Sequence, residues 1–258
     1  MNPPLLRVRG LSKHFAGVRA VDGVDFAITI GEIVALIGPN GAGKSTLFGV
    51  VAGQHRATAG EVLLDGRPVG GRDPAALARA GIGRTFQTAQ TWGTLTVLQN
   101  VQLALSAAAG RVFDPFTPLD DLDAGPAREM LGRVDLEPRA ALPAAALPYP
   151  DSKRLELAIA LASAPRLLLM DEPTAGMAAA ERTALMDLVR SVVANSASSA
   201  RPLTVLFTEH SMDVVFGYAQ RVLVMARGQL IADGAPAAVR ADPAAQAAYF
   251  GEPLEGAS

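Results

Sequence analysis

The stretch Gly38-Pro39-Asn40-Gly41-Ala42-Gly43-Lys44-Ser45-Thr46 sits between two apolar runs, Ile33-Val34-Ala35-Leu36-Ile37 and Leu47-Phe48-Gly49-Val50-Val51. The first run reads as a buried strand and the second as the opening turns of a helix. A glycine-rich turn at that junction lets successive backbone N–H groups converge on phosphate oxygens. It does so at a helix N-terminus whose unpaired donors and positive dipole end favour an anion. Lys44 extends the grip to the β- and γ-phosphates of a nucleotide, and the Ser45 hydroxyl is placed to ligate Mg²⁺. Chance would supply the four specified positions on the order of once per hundred chains of this length. The strand-loop-helix context lowers that further.

The rest of the chain bounds what such a loop can serve. At 258 residues and 50% hydrophobic, it can bury a sizeable core as one domain, or as a core with a small subdomain. Lys and Arg number 23 against 25 Asp and Glu, a formal net charge of −2. No overall electrostatic footprint for nucleic acid follows, and no nucleic-acid partner is expected. Zero cysteines exclude disulfides and thiolate metal sites, which fits the cytosol. No segment offers the roughly 18 uninterrupted apolar residues of a membrane span. Leu98 to Phe113 is broken by Gln99, Asn100, Gln102 and Arg111, and Leu155 to Leu169 by Glu156, Pro165 and Arg166. Met1 to Gly10 lacks a continuous apolar core and a small-residue cleavage site, so no signal peptide is expected. Any membrane connection is expected to run through partner chains.

Upstream of the loop, Leu5 to Val8 and the alternation of Val24, Phe26, Ile28 and Ile30 with Asp25, Ala27 and Thr29 predict half-buried antiparallel strands. Glu61-Val62-Leu63-Leu64 followed by Asp65-Gly66 predicts a hairpin. From Pro74 to Ala164 the pattern turns helical, over Ala75–Ala80, Val97–Ala109, Asp123–Val134 and Asp151–Ser163, with Pro- and Gly-containing loops between. Two apolar strands, Leu167–Met170 and Leu203–Phe207, then flank a helix over about Ala180–Val193, a strand-helix-strand spacing that argues for a parallel sheet. A last hairpin surrounds Arg227-Gly228. The organisation read here is residues 1–73 as a β subdomain plus the phosphate loop, 74–164 as a helical insertion, and 165–258 as the remaining core and tail.

Leu167-Leu168-Leu169-Met170-Asp171-Glu172 supplies the complement to the loop: a buried strand ending in two carboxylates. In an open parallel sheet ligands sit off the carboxyl ends of the strands, which places Asp171 near the phosphates. Asp171 is then positioned to hold Mg²⁺ directly or through water, and Glu172 to act as general base on the attacking water.

With GPNGAGKST, Arg84-Thr85-Phe86-Gln87, LLLMDEP and Thr208-Glu209-His210 in this order and spacing, the chain resembles the ATP-binding cassette (ABC) ATPases over essentially its whole length. The resemblance implies an α/β phosphate-loop NTPase (RecA-like) core with a parallel sheet, an antiparallel β subdomain and an inserted helical subdomain, using ATP and Mg²⁺. It implies that Phe15 stacks on adenine, that Gln87 reaches Mg²⁺ and the attacking water and senses the membrane partner, and that His210 is the switch histidine on the γ-phosphate. His14 and His55 receive no role.

The departures from the family pattern carry their own expectations. The signature segment, usually Leu-Ser-Gly-Gly-Gln, aligns with Leu147-Pro148-Tyr149-Pro150-Asp151. Its serine and glycine donate to the γ-phosphate held by the other subunit, whereas Pro148 lacks the hydroxyl and Pro150 has no N–H. Asp151 adds negative charge where a phosphate would sit, and Ser152 or Lys153 is expected to compensate in part. Ala175-Gly176-Met177-Ala178 lacks the Asp or Asn of the neighbouring dimer loop. Since each composite site joins one subunit's phosphate loop to the other's signature, a heterodimer with a related ATPase is expected.

Leu95-Thr96-Val97-Leu98-Gln99-Asn100-Val101, Met212-Asp213-Val214-Val215-Phe216 and Ala248-Tyr249-Phe250-Gly251 resemble the hydrophobic amino-acid uptake group. That implies two ATPases, two transmembrane permeases with a coupling helix docking near Gln87 to Val101, and an extracytoplasmic binding protein. The ATPase would be peripheral on the inner face of the membrane. Competing readings are a soluble cassette in DNA repair or translation, a GTPase or small-molecule kinase, and an inert regulatory cassette. Repair relatives carry long coiled coils between their halves, but Gln87 and Asp171 are only 84 positions apart. No Asn-Lys-x-Asp guanine-reading motif is present, and a GTPase or kinase would leave Gln87 and His210 unexplained.

Overall fold

A computed structural model describes residues 4–85, 91–110 and 122–250. Two sheets share the chain. The smaller is antiparallel, ordered β2-β1-β4-β5, with β1 Pro4–Phe15, β2 Val18–Thr29, β4 Ala59–Leu64 and β5 Arg67–Pro68. Asp65 and Gly66, at φ 54 and 74, turn β4 into β5, the paired positive φ of a two-residue hairpin. The larger sheet is ordered β10-β9-β3-β8-β7-β6, with β3 Ile33–Ile37, β6 Ile82–Arg84, β7 Leu167–Asp171, β8 Thr204–Thr208, β9 Arg221–Ala226 and β10 Gln229–Gly234. Its pairings are parallel except β9 with β10.

The unbroken apolar runs of β3, β7 and β8 follow from burial on both faces of the larger sheet. Alternate side chains of β3 enter separate cores. Val34 and Leu36 join Leu47, Phe48, Val50 and Val51 of α1 (Lys44–Val51) and the inner face of the small sheet. Ile33, Ala35 and Ile37 face the opposite way, into a core shared with α3 (Val97–Ala108), α4 (Ala124–Arg133), α5 (Tyr149–Leu161) and α6 (Ala179–Ser196). One helix is thus clamped between two sheets, and the helical segment lies against the far face.

One point differs from the sequence reading. The stretch 74–164 is not wholly helical: after α2 (Pro74–Ala80), β6 pairs in parallel with β7, through Ile82↔Leu167 and Arg84↔Leu169, at the edge of the core sheet. Three residues, one of them Gly83 and the first preceded by Gly81, are too short to display a period, and only the sheet edge shows that they are a strand. α3 starts at Val97, as the sequence reading has it, and its start is firmly capped. Thr96 and Gln99 form a reciprocal capping box, and the fully buried Asn100 side chain accepts from Trp92 N–H at 2.8 Å and donates to the Thr96 carbonyl at 2.9 Å. Among the described residues, no helix is long and apolar enough to cross a membrane.

Candidate active site

β3, β7 and β8 end side by side, and the candidate site forms off that carboxyl edge of the sheet. From β3 the chain enters the Gly38–Gly43 loop. α1 then begins with Gly43 as its N-cap at φ 99, with no side-chain cap and no acid in its first turn, so its leading N–H groups are not claimed by a neighbouring side chain. A Cβ at Gly43 would strike the Ala20 carbonyl, and one at Gly38 the Met225 carbonyl. The loop is glycine where β2 and β9 press on it. The β9–β10 turn supports it from below, Gly228 N–H donating to Ala42 O at 3.0 Å.

The Lys44 ammonium donates to the carbonyls of Gly38 at 2.6 Å and Pro39 at 3.1 Å. Burial pulls its pKa down from 10.5, while Glu172 and Asp171 act in the opposite direction. A cavity of about 550 Å³ is lined by Asn40 through Thr46, by Glu172 and His210, and by Val18, Arg19 and Arg227. The structure therefore brings the loop, Glu172 and His210 together around one space. A larger cavity, about 760 Å³, lies against α4 and the end of α6, near Met130, Val192 and Leu203, and includes none of the motif residues.

At the end of β7, Asp171 is held from two sides. One oxygen accepts from the Thr208 hydroxyl at 2.7 Å, and the other faces the Arg84 guanidinium at 3.5 Å. Arg84 lies over the Phe48 ring, 5.5 Å from its centroid. Burial lowers its pKa below the ordinary guanidinium value, opposed by Asp171. Glu172 follows with φ 47, a left-handed conformation that L residues rarely adopt. Its N–H is fixed by both oxygens of Thr208, the carbonyl at 3.1 Å and the hydroxyl at 3.0 Å. That turn points the carboxylate toward His210, whose Nε2 lies 3.1 Å from Glu172 Oε1. The Glu172 carboxylate and the His210 ring are thus mutually oriented within the protein itself.

Thr208, Glu209 and Thr174 also belong to this constellation, and the sequence reading assigned none of them a role. Glu209 is 3% exposed and accepts from Thr174 N–H, the Thr174 hydroxyl, His210 N–H and Ser211 N–H. The available signal was a polar Thr-Glu pair directly after a five-residue apolar strand, where polar side chains must find partners among the neighbouring loops.

Phe15 ends β1 and is 41% exposed, with the Lys13 ammonium 4.6 Å from its ring centroid and the His55 ring edge-on at 5.5 Å. It is not among the residues lining the 550 Å³ cavity, whose wall on that side is Val18, Arg19 and Ala20. Gln87 lies outside the described residues.

The start of α5, where the signature segment aligns, is chemically different. Pro148 is the N-cap with no side-chain bond, Pro150 occupies the first turn, and the N–H groups of Asp151 and Ser152 both turn back to the Pro148 carbonyl at 3.0 Å. Two sequence expectations are corrected here. Asp151 is not a free negative charge, because Arg139 forms an ion pair with it. Lys153 is no substitute donor, because its ammonium is buried and bound to both Glu156 oxygens at 3.2 Å, beside the Tyr149 ring. The Tyr149 hydroxyl donates to the Ala175 carbonyl at 3.0 Å, tying this helix start to the loop that follows Glu172.

Comparison with known proteins accords with this geometry. The ABC transporter family matches residues 21–175, and the family described as branched-chain amino acid ATP-binding cassette transporter matches 229–255. The high-affinity branched-chain amino acid transport ATP-binding protein LivG of Escherichia coli (strain K12) is 34% identical over 259 residues, covering 98% of this chain and 100% of that one. The ribose import ATP-binding protein RbsA 1 of Rubrobacter xylanophilus is 37% identical over 230 residues, covering 88% of this chain and 44% of that one. The ADP conformation of MJ1267, an ATP-binding cassette of an ABC transporter, superposes with TM-score 0.83 at 30% identity, over 97% of this chain and 100% of that one. With the family matched over residues 21–175, and with the Asn40–Thr46 stretch, Glu172 and His210 gathered around one cavity, this chain is an ATPase that belongs to the ABC transporter family.

Proposed function

We propose that this chain powers an importer for branched-chain or related amino acids, and that it works as one half of an unequal pair of ATPases. The solute rests on the likeness to LivG and on the match over 229–255. Because RbsA 1, a ribose import protein, is similar to the same chain, the solute is expected to be chosen by permease and binding-protein partners. The cassette would sit on the inner face of the membrane through those permeases, with Trp92, within the 91–101 segment, and Leu142, whose carbonyl accepts from Val97 N–H, exposed on the surface there.

At the site, free backbone N–H groups of the glycine-rich loop and of the first turn of α1, with the Lys44 ammonium, bind the phosphates, and Phe15 offers the adenine one ring face while Lys13 covers another. Ser45 and Asp171 are the groups that would hold Mg²⁺. A single carboxylate and a hydroxyl completed by substrate phosphates suit that ion, whose charge, when bound, offsets charge developing on the phosphate oxygens. Glu172 accepts the proton of the attacking water at its carboxylate, held by the Glu172 turn and His210. Gln87, outside the described residues, is assigned the water-positioning and permease-sensing role.

The observation that carries the unequal pairing is the start of α5. Proline at 148 and 150, and N–H groups turned inward at 151 and 152, leave it poorly equipped to complete a site on a facing subunit. The test is ATP hydrolysis by the purified chain alone and mixed with a second cassette that copurifies with it and its permeases. Low turnover alone and a large gain on mixing is the expected result. Full turnover by this chain alone would sink the unequal pairing, and recovery with nucleic acid instead of permeases would sink the transport reading.

A further inference from the structure

Glu209 is the most deeply buried carboxylate beside the site, and the hydrolysis chemistry above gives it no task. It is 3% exposed, and among the described residues no ion pair involves it. A buried carboxylate without a cation is costly unless its oxygens are filled by donors, and here four donors fill them. One oxygen takes the Thr174 N–H at 2.9 Å and the Thr174 hydroxyl at 2.6 Å. The other takes the N–H groups of His210 at 3.0 Å and Ser211 at 3.4 Å. One rigid planar group therefore spans two loops, the one leaving β7 and the one leaving β8.

Each loop carries a reacting group within two residues of the clamp. Glu172 precedes Thr174 by two positions and His210 follows Glu209 directly, and their side chains meet at 3.1 Å. Further along the first loop, Ala175 accepts from Tyr149 at the start of α5. The same carboxylate thus also links α5 to His210. The register Asp171↔Thr208 and the Thr208 bonds hold the strands together independently, so loss of the clamp would loosen the loops rather than the sheet.

We infer that Glu209 is a positioning residue for ATP hydrolysis, fixing the distance between Glu172 and His210 and tying both to the Ala175–Met177 loop. This rests on the reading of Glu172 as the base. A glutamine at 209 would keep one acceptor oxygen and turn an NH₂ donor against N–H groups on the other side, so one loop would be released. Displacement of a reacting group by about 1 Å costs on the order of a hundredfold in rate.

The test uses the assembled transporter, with ATPase kinetics, fluorescent-nucleotide binding and thermal melting measured on each variant. E209Q is expected to lower kcat about tenfold or more, with KM and nucleotide affinity within about twofold. T174V is expected to lose activity in the same way, and T174S, which keeps the hydroxyl, to retain most of what T174V loses. On an E172Q background, E209Q should add less than about twofold, because its effect passes through Glu172. Should E209Q fail to fold, the T174V and T174S pair reads the same clamp. Full activity in E209Q, or a loss of nucleotide binding in proportion to activity, would overturn the inference while an inactive E172Q leaves the base assignment standing. Wild-type turnover by E172Q would overturn that assignment, and the inference with it.

Discussion

Two helix N-termini in this chain start from the same physics and end in opposite chemistry. α1 begins at a glycine, carries no acid in its first turn and faces a cavity with its leading N–H groups. α5 begins between two prolines, carries Asp151 in its first turn, and satisfies that acid with Arg139. Any helix start has unpaired donors and a positive dipole end, yet only α1 leaves them available. The contrast shows that an anion site is decided by what the first turn does with its own donors. Under the unequal pairing proposed above, the chain would keep its own phosphate grip while giving up the one it offers a neighbour.

The largest effect expected from breaking this contrast is at the α1 end. Glu172→Gln removes the carboxylate proposed as base while leaving the loop, and should cost about 10²- to 10⁴-fold in kcat with nucleotide affinity nearly unchanged, as read by ATPase assay and fluorescent-nucleotide titration on the assembled complex. At the α5 end, Lys153→Met should destabilise the fold by about 3–5 kcal/mol, because Glu156 would be left charged and unpaired in the interior. The double variant Lys153→Met, Glu156→Leu should recover most of that loss in urea denaturation. Burial pushes the Glu156 carboxyl above 4.5, with Lys153 opposing. Between 4.5 and the raised value, the folded chain keeps a proton that the unfolded chain has released. Stability therefore falls as pH rises through that window. Lys153→Met should widen the window upward and the double variant should abolish the slope.

A change that makes α5 resemble α1 sharpens the comparison further. Pro148→Ser, Pro150→Gly and Asp151→Gln together restore donors worth about 1.5 to 3 kcal/mol each against a charged phosphate. The expected result is faster hydrolysis at the partner's phosphate loop, read in complexes where this chain's own site is silenced by Glu172→Gln; no gain would mean that α5 does not face that site. The smallest effect is Tyr149→Phe, which loses one partly exposed hydrogen bond to Ala175, about 0.5–1.5 kcal/mol. Each kcal/mol corresponds to about 2–4 °C in Tm for a chain of this size, so differential scanning calorimetry resolves it.

Much of this is legible in the sequence. The runs at Ile33–Ile37 and Leu167–Met170 are long, apolar and closed by motifs, so their strands agree with the sequence reading to within a residue. The two hairpins announced themselves through Asp65-Gly66 and Arg227-Gly228, where positive φ is required. β6 escaped because Ile82-Gly83-Arg84 is defined only by its bonds to β7. Lys153 was misread for a related reason. A lysine at the start of a helix reads as an exposed donor, and only packing against Tyr149 and Glu156 shows it to be buried. The Glu209 clamp was invisible because Thr174 lies 35 positions away along the chain.

By itself the sequence determined what is local or motif-bound: the phosphate loop, the paired acids after β7, the histidine after β8, the proline-interrupted start of α5, and the order of elements. These are properties of neighbouring residues, where backbone freedom, N–H count and side-chain chemistry act within a few positions. Tertiary structure alone decided which distant groups share one space: Arg84 against Asp171, Arg139 against Asp151, His210 against Glu172, and Glu209 across two loops. Arg139 meets Asp151 through packing within the helical segment, and the other pairings follow from strand order and register in a parallel sheet, which bring positions tens of residues apart to within hydrogen-bonding distance; no local pattern encodes either.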